Sequence, residues 1–136
     1  MTLDTSVIIA GLMSSSGGSA KIIQACDSEL SCAVSDSTEG EIARNVDKLG
    51  GVLLTNFKAL LSTRTIGFVK PSPASVDKFT SFTDPDDAHL LAACEEWDAD
   101  YLVSLNRKHL LDNEKAHTAT KARVVSPGDL ILLLGL

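Results

Sequence analysis

The residues best equipped for chemistry are acids that recur in segments far apart along the chain. Asp4 is followed by Thr5 and Ser6, Glu39 and Glu41 sit near the first third, and Asp84, Asp86 and Asp87 cluster after the middle. A fourth polar segment, Ser104-Leu105-Asn106-Arg107, follows later. Carboxylates that converge repel one another unless something neutralises them. Mg²⁺ or Mn²⁺, held by oxygen ligands, is the natural neutraliser. Such an ion, working on water, supports phosphodiester hydrolysis. Each acid also has a plainer role when taken alone. Asp4 can cap a helix, Glu39 and Glu41 can be solvated helix residues, and Asp84, Asp86 and Asp87 can complement a helix dipole. Spacing alone does not establish that they converge, so the elements that position them have to be read next.

Short apolar runs alternate with helical patterns. Thr2–Leu3 reads as a short strand and Thr5–Met13 as a helix, with a turn at Ser14–Gly18. A second helix is expected over Ser19–Glu29, with Ile22, Ile23 and Cys26 on one face. Ser31–Ser35 reads as a buried strand, followed by N-cap oxygens at Ser35-Asp36-Ser37. The next helix carries Ile42, Val46 and Leu49 on one side and stops at Gly50-Gly51. Val52–Leu61 is a helix whose Leu53, Phe57, Leu60 and Leu61 face a core, and Thr65–Val69 is a third strand. Asp84-Pro85-Asp86-Asp87 carries the start signals for a helix over Ala88–Trp97. Tyr101–Ser104 is a fourth strand, Arg107–Leu111 a short helix, Arg123–Val125 a fifth strand and Leu130–Leu134 a last helix. Strands alternating with helices imply an α/β fold with a parallel sheet of five strands covered on both faces. In such sheets ligands bind beyond the carboxyl ends of the strands. Asp4 follows strand one there, Ser35 and then a helix with Glu39 and Glu41 follow strand two, and Leu105-Asn106-Arg107 follow strand four.

The chain has 136 residues, 44% of them hydrophobic and 22% charged, which suits one domain over residues 1–136 with a self-sufficient core. Twelve Lys and Arg against 18 Asp and Glu give a net charge of −6, which argues against a generic cationic coat for nucleic acid. A metal can still neutralise an acidic cleft locally. Aromatic residues make up 4% of the chain, too few for a single-strand binder built on stacking, and Trp97 and Phe68 are expected in the core. Cys26, Cys32 and Cys94 form no C-x-x-C and are expected as buried thiols. Met1-Thr2-Leu3 lacks the basic start of a leader, so a cytoplasmic protein with no membrane association is expected.

Three blocks resemble a known family. Leu3-Asp4-Thr5-Ser6-Val7-Ile8 looks like the opening motif of PIN-domain nucleases. Asp84-Pro85-Asp86-Asp87-Ala88-His89-Leu90-Leu91-Ala92-Ala93 is similar to the family's central helix, and Ala99 to Leu110 to the strand and turn after it. The likeness is greatest to the subfamily of toxin components of toxin–antitoxin systems. It implies a three-layer α/β/α PIN-like domain that uses Mg²⁺ or Mn²⁺ to cut RNA, together with a cognate antitoxin. Its acids map to Asp4, to Glu41 with Glu39 as the second choice, and to Asp87. These three are the implied metal ligands. The family's fourth acid falls on Asn106, an amide that brings an oxygen but no charge. Asn106 is therefore a candidate catalytic residue that also favours a weaker second metal. Thr5, Ser6 and Ser104 match hydroxyl positions that orient acids or water.

Arg107-Lys108-His109 reads equally as a cationic rim for an RNA backbone or as a solvated helix start. His89 reads as a packed or surface residue, and His109 and His117 have no partner at ligand spacing. Two other functions compete with the nuclease. A receiver-like signalling domain fails on placement, because its acceptor Asp and its Lys are absent after strands three and five. A PIN fold that binds RNA or a partner without cutting has Asn106 as its support. The tail Leu130-Ile131-Leu132-Leu133-Leu134 is apolar all round a helix, which predicts a homodimer.

Overall fold

A computed structural model describes residues 1–26, 28–45, 48, 50–63, 65–81 and 83–136. Five strands form one all-parallel sheet: β1 (Thr2–Leu3), β2 (Ala33–Ser35), β3 (Gly67–Val69), β4 (Tyr101–Val103) and β5 (Arg123–Val125). Their order is β3-β2-β1-β4-β5, so the sheet grows outward in both directions from β1. Thr2 pairs with Ala33 on one side and with Leu102 on the other. The helices are α1 (Thr5–Met13), α2 (Gly18–Ala25), α3 (Ser37–Arg44), α4 (Gly51–Ser62), α5 (Pro73–Phe79), α6 (Pro85–Trp97), α7 (Glu114–Ala119) and α8 (Pro127–Leu134). A π-helical turn, Arg107–Leu111, lies between β4 and α7.

The period-2 alternation of the strands separates two cores. Leu3, Val34, Val103 and Val125 face one side and pack with Val7, Ile8, Ile22, Ile42, Phe57 and Leu130 from α1, α2, α3, α4 and α8. Leu102 and Val124 face the other, with Phe79, Leu91, Cys94 and Ala116 from α5, α6 and α7. Helices on both faces give the three-layer α/β/α arrangement expected from the alternating pattern.

Two glycines permit close packing. A Cβ on Gly11 would stand 2.4 Å from Ile23 Cδ1 and 3.1 Å from the Ser19 backbone, so α1 and α2 pack as tightly as they do only without one. A Cβ on Gly67 would stand 2.9 Å from the Trp97 ring. Trp97 is accordingly half-buried against β3, as expected, whereas Phe68 is 51% exposed and does not join the core. β3 is an edge strand, and the side of Phe68 opposite to Gly67 and Val69 is not covered.

Most element positions match the sequence pattern, with shifts at their ends. α2 stops at Ala25 rather than Glu29, because the chain turns at Cys26 to form a bridge with Leu30. The expected core positions Val46 and Leu49 lie outside the described residues. α5 and α7 carry no long apolar stripe, and each is started by a side-chain cap, Ser72 on Ser75 N and Asn113 on Lys115 N. The cysteines depart from expectation. Cys26 and Cys32 form a disulfide, with Cα atoms 5.7 Å apart. The turn after α2 brings Cys26 and Cys32, six positions apart, within bridging range. Only Cys94 keeps a thiol, and burial pushes its pKa up to about 12. Among the described residues, no single helix is long and apolar enough to cross a membrane.

Candidate active site

The strand order reverses between β1 and β4, and a parallel sheet opens a crevice beyond the strand ends at such a point. Asp4 follows β1 there and Ser104 follows β4. The Ser104 hydroxyl donates to Asp4 Oδ2 at 2.7 Å, and the Ser6 hydroxyl donates to the same oxygen at 2.8 Å. Two hydroxyls on one oxygen fix the carboxylate and leave Oδ1 available. Asp4 N donates to Val103 O at 2.9 Å, which ties the start of α1 to the end of β4. Asp4 occupies the N-cap position of α1 without making a side-chain cap bond, so its carboxylate serves the crevice instead.

Glu41 comes from α3. Thr38 and Ile42 are buried at helical spacing and set the rotation of this helix. Thr38 accepts the Thr5 hydroxyl at 3.2 Å, which joins α3 to the start of α1. That rotation lines the crevice with Glu41, while Glu39 turns outward to Lys58 at 3.7 Å. Burial, followed by the charges of Asp4 and Asp86, pushes the Glu41 carboxyl above its usual range, against hydrogen bonds from Thr5 and Ser37 that lower it.

Asp84, Asp86 and Asp87 come from the start of α6. Asp84 Oδ1 accepts from Asp87 N at 3.0 Å and so caps the helix. The Asp87 side chain is only 13% exposed. Burial raises its pKa to about 6, aided by the charges of Asp84 and Asp4, with His109 acting in the opposite direction. All these acids line one open cleft of about 420 Å³, together with Thr5, Ser6, Ser35, Ser37, Thr38, Asn106 and His109.

Asn106 lines the cleft but is engaged locally. Its side-chain oxygen accepts from His109 N at 3.2 Å, and its own N–H donates to Ser104 Oγ at 2.9 Å. It thereby caps the π-helical turn. His109, expected to have no partner, lies with Nδ1 3.9 Å from a carboxylate oxygen of Asp84 and of Asp87 alike. Among the described residues, Asp84, Asp87 and His109 are the set whose ligand-type atoms all lie within 4.8 Å of one another. Asp4 and Glu41 line the same cleft outside that tighter set. His109 is separated from Asp87 along the chain by the rest of α6, β4 and a turn, so its spacing carries no signal. His89, by contrast, pairs with Asp36 and ties α6 to the turn between β2 and α3. Its half-buried position matches its reading as a packed residue. Arg107 and Lys108 are exposed beside the cleft, with Arg107 3.6 Å from Asp112.

The donor set suits a hard divalent ion, with carboxylates from three segments, hydroxyls to orient them, and two carboxyls whose pKa values rise where no cation is present. A chain in a toxin–antitoxin complex from Klebsiella pneumoniae shares the fold, with a TM-score of 0.63 over 93% of this chain and 96% of that one, at 19% identity. No curated protein matches the sequence. The PIN-domain family model matches residues 1–108, the stretch that carries Asp4, Glu41, Asp87 and Asn106, and the chain belongs to the PIN-domain family.

Proposed function

We propose that this PIN domain, acting as a single unit over residues 1–136, is a metal-dependent endoribonuclease that hydrolyses RNA phosphodiester bonds. We assign it as the toxin of a toxin–antitoxin pair. The observation that carries the nuclease reading is the convergence of Asp4, Glu41 and Asp87, from three separate segments, on one open cleft. A cleft lined by converging acids is costly unless a cation and an anionic substrate share it. Asp4, Glu41 and Asp87 would hold Mg²⁺ or Mn²⁺. Such an ion supplies positive charge against phosphoryl oxygens and makes water more acidic.

The chain's own residues do the positioning. Ser6 and Ser104 fix Asp4, and Thr5 holds α3, hence Glu41, against the start of α1. Asp84 fixes the first turn of α6, hence Asp87. Exposed Arg107 and Lys108 at the mouth would meet the RNA backbone. Likeness of fold to a toxin–antitoxin chain supports a cognate antitoxin as partner. The exposed leucines of α8 support a homodimer, and a cytoplasmic location goes with the toxin assignment.

The test is cleavage of a labelled RNA by the wild type and by Asp4→Asn, with Mn²⁺ and with EDTA. Cleavage that needs both Mn²⁺ and Asp4 is the expected result. An intact substrate with the wild type and Mn²⁺ would support the alternative, a PIN fold that binds RNA or a partner without cutting.

A further inference from the structure

We infer that His109 is a metal ligand of the cleft, so that the ion it takes is bound through nitrogen as well as oxygen. The inference rests on the metal-binding reading of the cleft given above. An imidazolium paired with a carboxylate normally approaches to hydrogen-bond distance, about 2.7–2.9 Å. Here Nδ1 stands 3.9 Å from both Asp84 Oδ2 and Asp87 Oδ2, too far to bond to either. Ligands about 2.1 Å from one octahedral ion stand about 3 Å apart when adjacent and about 4.2 Å apart when opposite. The separations of 3.9 Å exceed the adjacent spacing by about 1 Å, so an ion would draw together three donor atoms that all lie within 4.8 Å of one another. The arrangement leaves room for an ion among donors that do not hydrogen-bond to one another.

Each neighbour leaves its donor atom free for this role. Asp84 spends Oδ1 on the cap of α6 and presents Oδ2 to His109. Asn106 spends its oxygen on His109 N, so the amide holds the turn that carries the imidazole and offers no charge to the cleft. The imidazole comes from a segment other than the one that carries the two acids. The cleft consequently holds a donor that a purely carboxylate site lacks.

Nitrogen ligands change which metal is favoured. Mg²⁺ takes oxygen and water, whereas imidazole suits borderline ions, and affinity at N/O sites rises from Mn²⁺ through Co²⁺ to Cu²⁺. The site should therefore prefer Mn²⁺ or Co²⁺ to Mg²⁺, and the preference should depend on His109.

The test uses the full chain loaded with Mn²⁺ alone, read by pulsed electron paramagnetic resonance for nitrogen coupled to the metal and by calorimetry for affinity. The wild type should show one coupled histidine nitrogen, lost in His109→Gln and kept in His89→Gln. Mn²⁺ affinity in His109→Gln should fall by at least about tenfold while Mg²⁺ affinity changes little. Bound Mn²⁺ with no coupled nitrogen, or coupling that survives His109→Gln, overturns the inference. RNA cleavage is scored separately. Cleavage with an oxygen-only Mn²⁺ leaves the nuclease standing and removes the His109 assignment. Coupled nitrogen without cleavage does the reverse.

Discussion

Ser104 and Asp4, 100 residues apart in sequence, are joined by a 2.7 Å hydrogen bond from the serine hydroxyl to Asp4 Oδ2. Ser104 is fully buried and also accepts from Asn106 N at 2.9 Å. One hydroxyl thus orients the first acid and anchors the turn after β4. Ser104→Ala should cost about 1–3 kcal/mol, because a partly buried amide loses its acceptor and a carboxylate loses a donor. Cleavage should fall while Ser104→Thr keeps most of it. Urea unfolding and RNA cleavage of the two variants check this, and equal loss in both would refute the hydroxyl's orienting role.

Asp87 gives a pH-dependent prediction with a definite sign. Its carboxyl titrates at about 6 in the folded chain against 3.8 ordinarily. Between those values the folded chain holds a proton that the unfolded chain has released, so stability falls as pH rises through the window. Asp87→Asn removes this effect. In EDTA the variant should be more stable than wild type at pH 7, with the gap closing towards pH 4. The shift sets a ceiling of about 3 kcal/mol, which solvent in the open cleft reduces to about 1 kcal/mol. With Mn²⁺ the order should reverse, because the variant has lost a ligand. Melting temperatures at the two pH values, with and without Mn²⁺, are the measurement.

Asn106→Asp keeps an oxygen to cap His109 N but adds a negative charge to the cleft. Without metal the charge adds repulsion and should lower the melting temperature. With Mn²⁺ it should be compensated, which widens the metal-dependent stability gap and raises cleavage. An unchanged gap and unchanged cleavage would mean that position 106 lies outside the reach of the metal.

The α8 helix buries Leu130 completely but leaves Leu132 84% exposed, with Leu133 and Leu134 half-exposed beside it. If a second copy covers these residues, light scattering at micromolar concentration gives a dimer mass for the wild type. Leu132→Glu should then give a monomer with an unchanged circular dichroism spectrum. A monomeric wild type would refute the dimer.

Much of the fold is legible in local sequence because its signals act over a few residues. Asp84 before Pro85 marks a helix start, and its side chain does accept the amide three residues on, whereas the last helix begins at Pro127, three residues before the expected Leu130. The alternation of Leu102 with Val103, and of Val124 with Val125, sends neighbours to opposite faces and so implies two helical layers. Asp4, Glu41 and Asp87 are legible as acids near strand ends and helix starts. Their meeting at one cleft depends on β4 pairing beside β1, a contact between segments about a hundred residues apart that no local rule specifies. The choice of Glu41 over Glu39 depends on the rotation of α3, set by the burial of Thr38 and Ile42. The disulfide of Cys26 with Cys32 depends on the turn that ends α2. His109 is the clearest case. Its sequence neighbours say nothing of Asp84 or Asp87, and only the packing of the capped turn against the start of α6 brings its imidazole to both.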